Sequence, residues 1–188
     1  SDAYGAAVCA SLGDRVLEAI ELLLTQWSTA HASTDALGQA LTVVYRVLFL
    51  YFAEARGLLP VWNRRFRESY SIEALRDRLL TTHQARGTWD ALQAMTRLAR
   101  AGCHIDDLHV TAFNGRLFAP AMAPLADRAP VSDAVAARLV LGLGTTAHAS
   151  MPEPIRFADL GVEQLGAVYE RVLDYVPAPR GATVALAR

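Results

Sequence analysis

The chain has 188 residues, 53% of them apolar, with 18 basic against 19 acidic side chains and a formal net charge of −1. Every basic residue is arginine, so a P-loop lysine, a Schiff-base lysine and the lysine of a PD-(D/E)xK nuclease site are excluded within these residues. The near-zero charge gives no overall pull toward nucleic acid, and two distant cysteines, Cys9 and Cys103, form no disulfide framework and suit a reducing cytoplasm.

Helical periodicity dominates. Val16, Ile20, Leu23 and Trp27 recur at helical spacing, with Leu17 and Leu24 widening the stripe, and Asp14 begins this first helix with negative charge near its positive end. A second helix starts at Asp35. Leu37, Leu41, Val44, Leu48 and Phe52 form one face, and Val43, Val47 and Leu50 cover another, so it should be central. Its longest unbroken apolar run, Val47 to Ala53, is seven residues, against about 20 for a membrane span, so no membrane is expected. At Arg56-Gly57-Leu58-Leu59-Pro60 the helix stops: Gly57 can take the left-handed C′ position, Leu58 can fold back and Pro60 blocks continuation.

Trp62 to Tyr70 reads as a connector. Ser71 suits the N-cap of a third helix carrying Leu75, Leu79 and Leu80. Thr88 suits the cap of a fourth, with Trp89, Leu92, Met95 and Leu98 inward and Gly102 at its end. Val110-Thr111-Ala112-Phe113 then reads as a short strand, and Asn114-Gly115 is a hairpin turn signal before Leu117-Phe118. Pro120, Pro124 and Pro130 mark a loop. Ser132 caps a fifth helix with Val135, Leu139, Val140 and Leu143, and Met151-Pro152-Glu153-Pro154 breaks the pattern. The sixth helix carries Val162, Leu165, Val168, Tyr169, Val172 and Leu173. The expected fold is therefore mainly α: an irregular domain of about six helices over residues 1–176, with a small β-hairpin-like excursion near 110–118. Residues 177–188 read as a linker toward a further module.

Several groupings invite a chemical reading. Cys103, His104, Asp106, Asp107 and His109 include zinc-type ligands, but their spacing matches no standard pattern, so a polar turn is the better reading. Gly142-Leu143-Gly144-Thr145-Thr146 resembles half a phosphate loop but follows a helix where a strand is required. Glu54 and Arg56 end an apolar helix and suit buried pairing with another element. Glu163 and Glu170 share a helix face, with no nucleophile evident beside them. Arg64, Arg65, Arg67, Arg76, Arg78 and Arg86 concentrate positive charge among Trp62, Phe66 and Tyr70. Arginine forks match phosphates and aromatic rings stack on bases, so Arg64, Arg65 and Arg67 are candidate contacts to double-stranded DNA. No GxSxG, HExxH or Asp/Asn-Pro-Pro-aromatic signature occurs, and no catalytic, cofactor-binding or metal-binding residue is assigned.

Three segments carry a family resemblance when taken in order. The first is Tyr45 to Pro60, ending Phe52-Ala53-Glu54-Ala55-Arg56-Gly57-Leu58-Leu59-Pro60. The second is Ala112 to Pro120, containing Phe113-Asn114-Gly115-Arg116-Leu117-Phe118. The third is Asp159 to Tyr175, containing Leu160-Gly161 and Val168-Tyr169-Glu170-Arg171. Together they resemble the helical region of the large restriction–modification methylases, the type IIG-like and phage-defence enzymes in which this region precedes an adenine methyltransferase domain. Arg116 and Arg171 stand where that pattern usually has Gly. The resemblance implies a non-catalytic helical spacer, touching DNA, in a parent that methylates adenine from S-adenosylmethionine. The methyltransferase module and any nuclease module would then flank these residues, and a chain beginning Ser1-Asp2-Ala3 without methionine fits a piece of something longer. A protein–protein docking module with no nucleic-acid contact is the alternative.

Overall fold

The computed structural model describes residues 2–28, 35–113, 115–129, 131–146 and 152–161, followed by residues 163, 164, 166–168 and 170. The fold is mainly α with one small antiparallel hairpin. The described helices are α1 (Asp2–Ser28), α2 (Ala36–Ala55), α3 (Arg64–Ser69), α4 (Ile72–Thr82), α5 (Thr88–Ala101), α6 (Pro124–Arg128) and α7 (Asp133–Gly144). The strands are β1 (Cys103–Ile105) and β2 (Leu108–Val110), and short 3-10 turns cover Pro120–Met122 and Phe157–Asp159.

α2 is the core helix, packed against α1, α4, α6 and α7. It is long and apolar enough to cross a membrane by length and composition, but here Val43, Val44, Val47, Leu48, Leu50 and Tyr51 are all buried within the protein. Its C-terminus closes as a Schellman motif. Gly57 has φ +66°, its N–H reaches the Glu54 carbonyl at 2.9 Å, and the Leu58 N–H reaches Ala53 at 2.9 Å. The backbone of Leu58 folds back as expected, but its side chain does not: Leu58 is exposed and Leu59 is the buried residue.

α1 begins well before Asp14, because Val8 and Leu12 extend the buried stripe of Val16, Ile20, Leu23 and Trp27. Two stretches read as irregular contain short helices. In the Trp62–Tyr70 connector, Asn63 Oδ1 accepts from the Phe66 N–H at 3.2 Å and caps α3, which Phe66 anchors in the core. Pro124 opens α6 from its first turn, where a missing N–H costs nothing. Both helices are too short for periodicity to show. Ser71 and Ser132 do cap α4 and α7, accepting from Ala74 and Val135. Thr88 is not a cap. It lies inside α5, and Asp133 of α7 accepts from the Gly87 and Trp89 N–H groups at 2.8 and 2.9 Å.

The hairpin lies at 103–110, not 110–118. Cys103 pairs with Val110, His104 with His109 and Ile105 with Leu108 around an Asp106–Asp107 turn. Asp106 takes φ +50°, a left-handed conformation that Asp tolerates. Gly102, at φ +67°, turns the chain from α5 straight into β1, and a Cβ there would strike the Val110 carbonyl. Phe113 joins no ladder, since its N–H donates to the Ala99 carbonyl at 2.8 Å, and the Phe113 and Phe118 rings pack on Phe49 at centroid distances of 6.0 and 5.8 Å. Asn114 lies outside the described residues, as do Val162, Leu165, Tyr169, Val172 and Leu173 of the sixth predicted helix and the 177–188 linker. Val168 of that helix is described and buried.

Candidate nucleic-acid interface

Arg64, Arg65 and Arg67 all lie on α3 and all are exposed. Arg64 pairs one turn along with Glu68 at 2.7 Å, an exposed pair of small energetic weight. Arg65 reaches across to the hairpin turn, 2.6 Å from Asp106 and 3.9 Å from Asp107. Beside it, Asn63 Nδ2 donates to the Asp107 carboxylate at 3.0 Å, so the hairpin turn is docked on the start of α3. Arg67 makes no ion pair among the described residues. The three arginines therefore face three carboxylates, and the local charge is balanced.

The other members of the basic stretch separate. Arg76 belongs to the core: its side chain is 6% exposed, pairs with Asp77 at 2.9 Å and lies 5.8 Å over the Tyr51 ring. Arg78 and Arg86 are exposed on α4 and the following loop. Of the interleaved aromatics, Phe66 is buried and Tyr70 half-buried against it, leaving Trp62 as the ring open to a base.

Glu54 and Arg56 do not pair with each other. Glu54 is buried and accepts from Ser71 Oγ at 2.8 Å and from the N–H groups of Ile72 at 2.6 Å and Glu73 at 3.2 Å. It thus seals the N-terminus of α4 onto α2. Burial pushes its carboxyl up to about 7, with the three donors pulling the other way. Arg56 is exposed, lies 5.1 Å over the Phe52 ring and donates to the Leu160 carbonyl at 2.6 Å.

Neither grouping read for cofactor or metal chemistry assembles as such. Gly142 and Gly144 lie inside α7, and a Cβ on Gly144 would strike the Tyr51 hydroxyl, so this glycine makes room for a core ring. Strand alternation puts Cys103 on the opposite face of the hairpin from His104, and no group of three or more metal ligands forms among the described residues. Glu163 and Glu170 are both exposed.

What the fold does bring onto α2 and its C-terminal turn are residues of the 112–120 stretch and Leu160. Arg46 of α2 is buried and donates from Nε to the Leu117 carbonyl and from Nη2 to Ala119, each at 2.9 Å. Phe49 holds Phe113 and Phe118 and Arg56 holds Leu160; just before that third segment, Phe157 stacks on Tyr51 at 5.0 Å. Asp106 and Asp107 are the site residues that sequence reasoning passed over as α3 partners; nothing local marks a contact 41 positions away. Comparisons with protein-family models, with curated proteins and with solved structures give no match.

Proposed function

We propose that this domain is the non-catalytic helical spacer of a restriction–modification DNA adenine methyltransferase of the phage-defence type, and that α3 touches the backbone of double-stranded DNA through Arg64, Arg65 and Arg67. The observation that supports the reading is that, among the described residues, the first of the three segments resembling that family touches both of the others. Arg46 binds the second segment and Arg56 the third. Their pattern is then a folding signature, which is what a spacer requires. S-adenosylmethionine belongs in this reading to the parent's methyltransferase module, and the setting is the cytoplasm, where the DNA is. The three arginines and exposed Trp62 supply the chemistry for phosphate and base contact. Duplex binding measured against salt tests it. Binding at low salt that disappears with Arg64/Arg65/Arg67→Ala is expected; no binding, or binding indifferent to that triple substitution, would overturn the DNA contact.

A docking module is the second reading, favoured by one observation. Leu58 (67% exposed), Trp62 (75%) and Ile105 (49%) are large apolar side chains left exposed in the α2–α3 loop and in the hairpin whose turn is docked on the start of α3. Concentration-dependent sedimentation that Trp62→Ser abolishes would support it.

A further inference from the structure

We propose that the hairpin carries a two-histidine site for a divalent transition metal of the Zn2+ and Ni2+ class, independent of any DNA contact. His104 and His109 are direct partners across the antiparallel pair. Such partners have Cβ atoms about 5 Å apart, on the same face of the hairpin. Their rings have centroids 4.9 Å apart at 77°, and the two Nδ1 atoms approach to 2.7 Å. At that distance two protons would clash and two lone pairs would repel, so one ring donates and the other accepts. Both Nδ1 atoms thus face one narrow gap.

A metal can take the place of the donated hydrogen once the donating ring carries its proton on Nε2 instead, which leaves both rings neutral and both Nδ1 lone pairs open. With metal–nitrogen bonds of about 2.0–2.1 Å, two neighbouring ligands of one ion stand about 2.9–3.4 Å apart. The rings need to open by only a few tenths of an ångström, and both residues are exposed, so rotation meets little packing. Imidazole nitrogen selects Zn2+, Ni2+ or Cu2+ over the oxygen-seeking Mg2+ and Ca2+. The platform is preorganised: Leu108 and Val110 are buried, and the turn is tied to α3 by Asn63–Asp107 and Arg65–Asp106. Those same ties engage both turn carboxylates, and Cys103 faces the other way, so the remaining coordination positions are left to water or to a group from outside the domain.

Titration calorimetry and thermal melts of the tag-free protein with NiCl2 and ZnCl2, against MgCl2, test the site. One Ni2+ or Zn2+ per chain is expected, with a melting temperature that rises with metal and no response to Mg2+. His104→Ala or His109→Ala should each weaken binding by about tenfold or more, because a chelate becomes a single imidazole. Both side chains are exposed, so neither variant should change the melt without metal, and His83→Ala should bind as the parent chain does. Absence of binding, binding unchanged in the His104/His109 double variant, or an equal response to Mg2+ would overturn the proposal.

Discussion

A carboxylate buried between two helices makes folding sensitive to pH, and Glu54 is such a group. Its ordinary value is 4.5 and burial raises it to about 7, so the folded chain holds the proton more tightly than the unfolded one. Stability then falls as pH rises from about 4.5 to about 7 and is flat above, by roughly 3 kcal/mol at most. Glu54→Gln should flatten that slope: urea midpoints at pH 5 and pH 8 should differ in the parent chain and coincide in the variant. Asp133 has the opposite sign. The Trp89 and Gly87 N–H groups hold its carboxyl below the usual range. Its contribution is therefore present above the ordinary aspartate value and is lost as pH falls through the lowered one. Asp133→Ala should cost about 1 kcal/mol at neutral pH, the difference from the parent closing under acid conditions. That Glu54 would be buried was legible from the apolar helix around it. Its partner was not, because the partner is mostly backbone N–H at a helix start 18 residues on, which no side-chain pattern announces.

At the scale of elements, what was legible depended on whether the cause was local. Gly57, Ser71 and Ser132 were read correctly because the chain within four residues closes each of those helix ends. Thr88 was misread because α5 is capped from α7, 44 positions away. The hairpin was misplaced because Asn114-Gly115 is a stronger local turn signal than Asp106-Asp107. The fold decided otherwise: the Phe113 N–H bonds to the Ala99 carbonyl and the Phe113 and Phe118 rings sit on Phe49, while Leu108 and Val110 make the ladder. Arg46 holds the resulting loop through two carbonyls. Arg46→Met would keep the apolar stem and strand both acceptors, at about 2 kcal/mol. The expected result is faster tryptic cleavage after exposed Arg116, with helical circular dichroism unchanged; cleavage at the parent rate would show that the loop is held by its phenylalanines alone.

For the whole molecule, charge decides how strongly this domain can bind DNA by itself. A net charge of −1 gives no long-range attraction, so any contact rests on the α3 edge, where Glu68, Asp106 and Asp107 stand against the three arginines. The exposure of Arg64, Arg65 and Arg67 followed from the polar sequence around them. The pairing with Glu68 was open to a local reading, but the identity of the other partners was not, because Asp106 and Asp107 arrive on a hairpin distant in sequence. Three phosphate contacts would give a slope of log affinity against log salt no steeper than about −3. Weak binding with a shallow salt dependence is therefore expected of this domain by itself. The balance also yields a test in the direction of gain. Asp106→Asn with Asp107→Asn keeps the turn, since Asn tolerates the left-handed conformation at 106 and still accepts from Asn63 at 107. The same change releases Arg65 from both carboxylates. Under the DNA-contact reading the double variant should bind duplex several-fold more tightly, with a slope steeper by about one. Under the docking reading it should bind no better than the parent chain, because the surface that matters there is Leu58, Trp62 and Ile105.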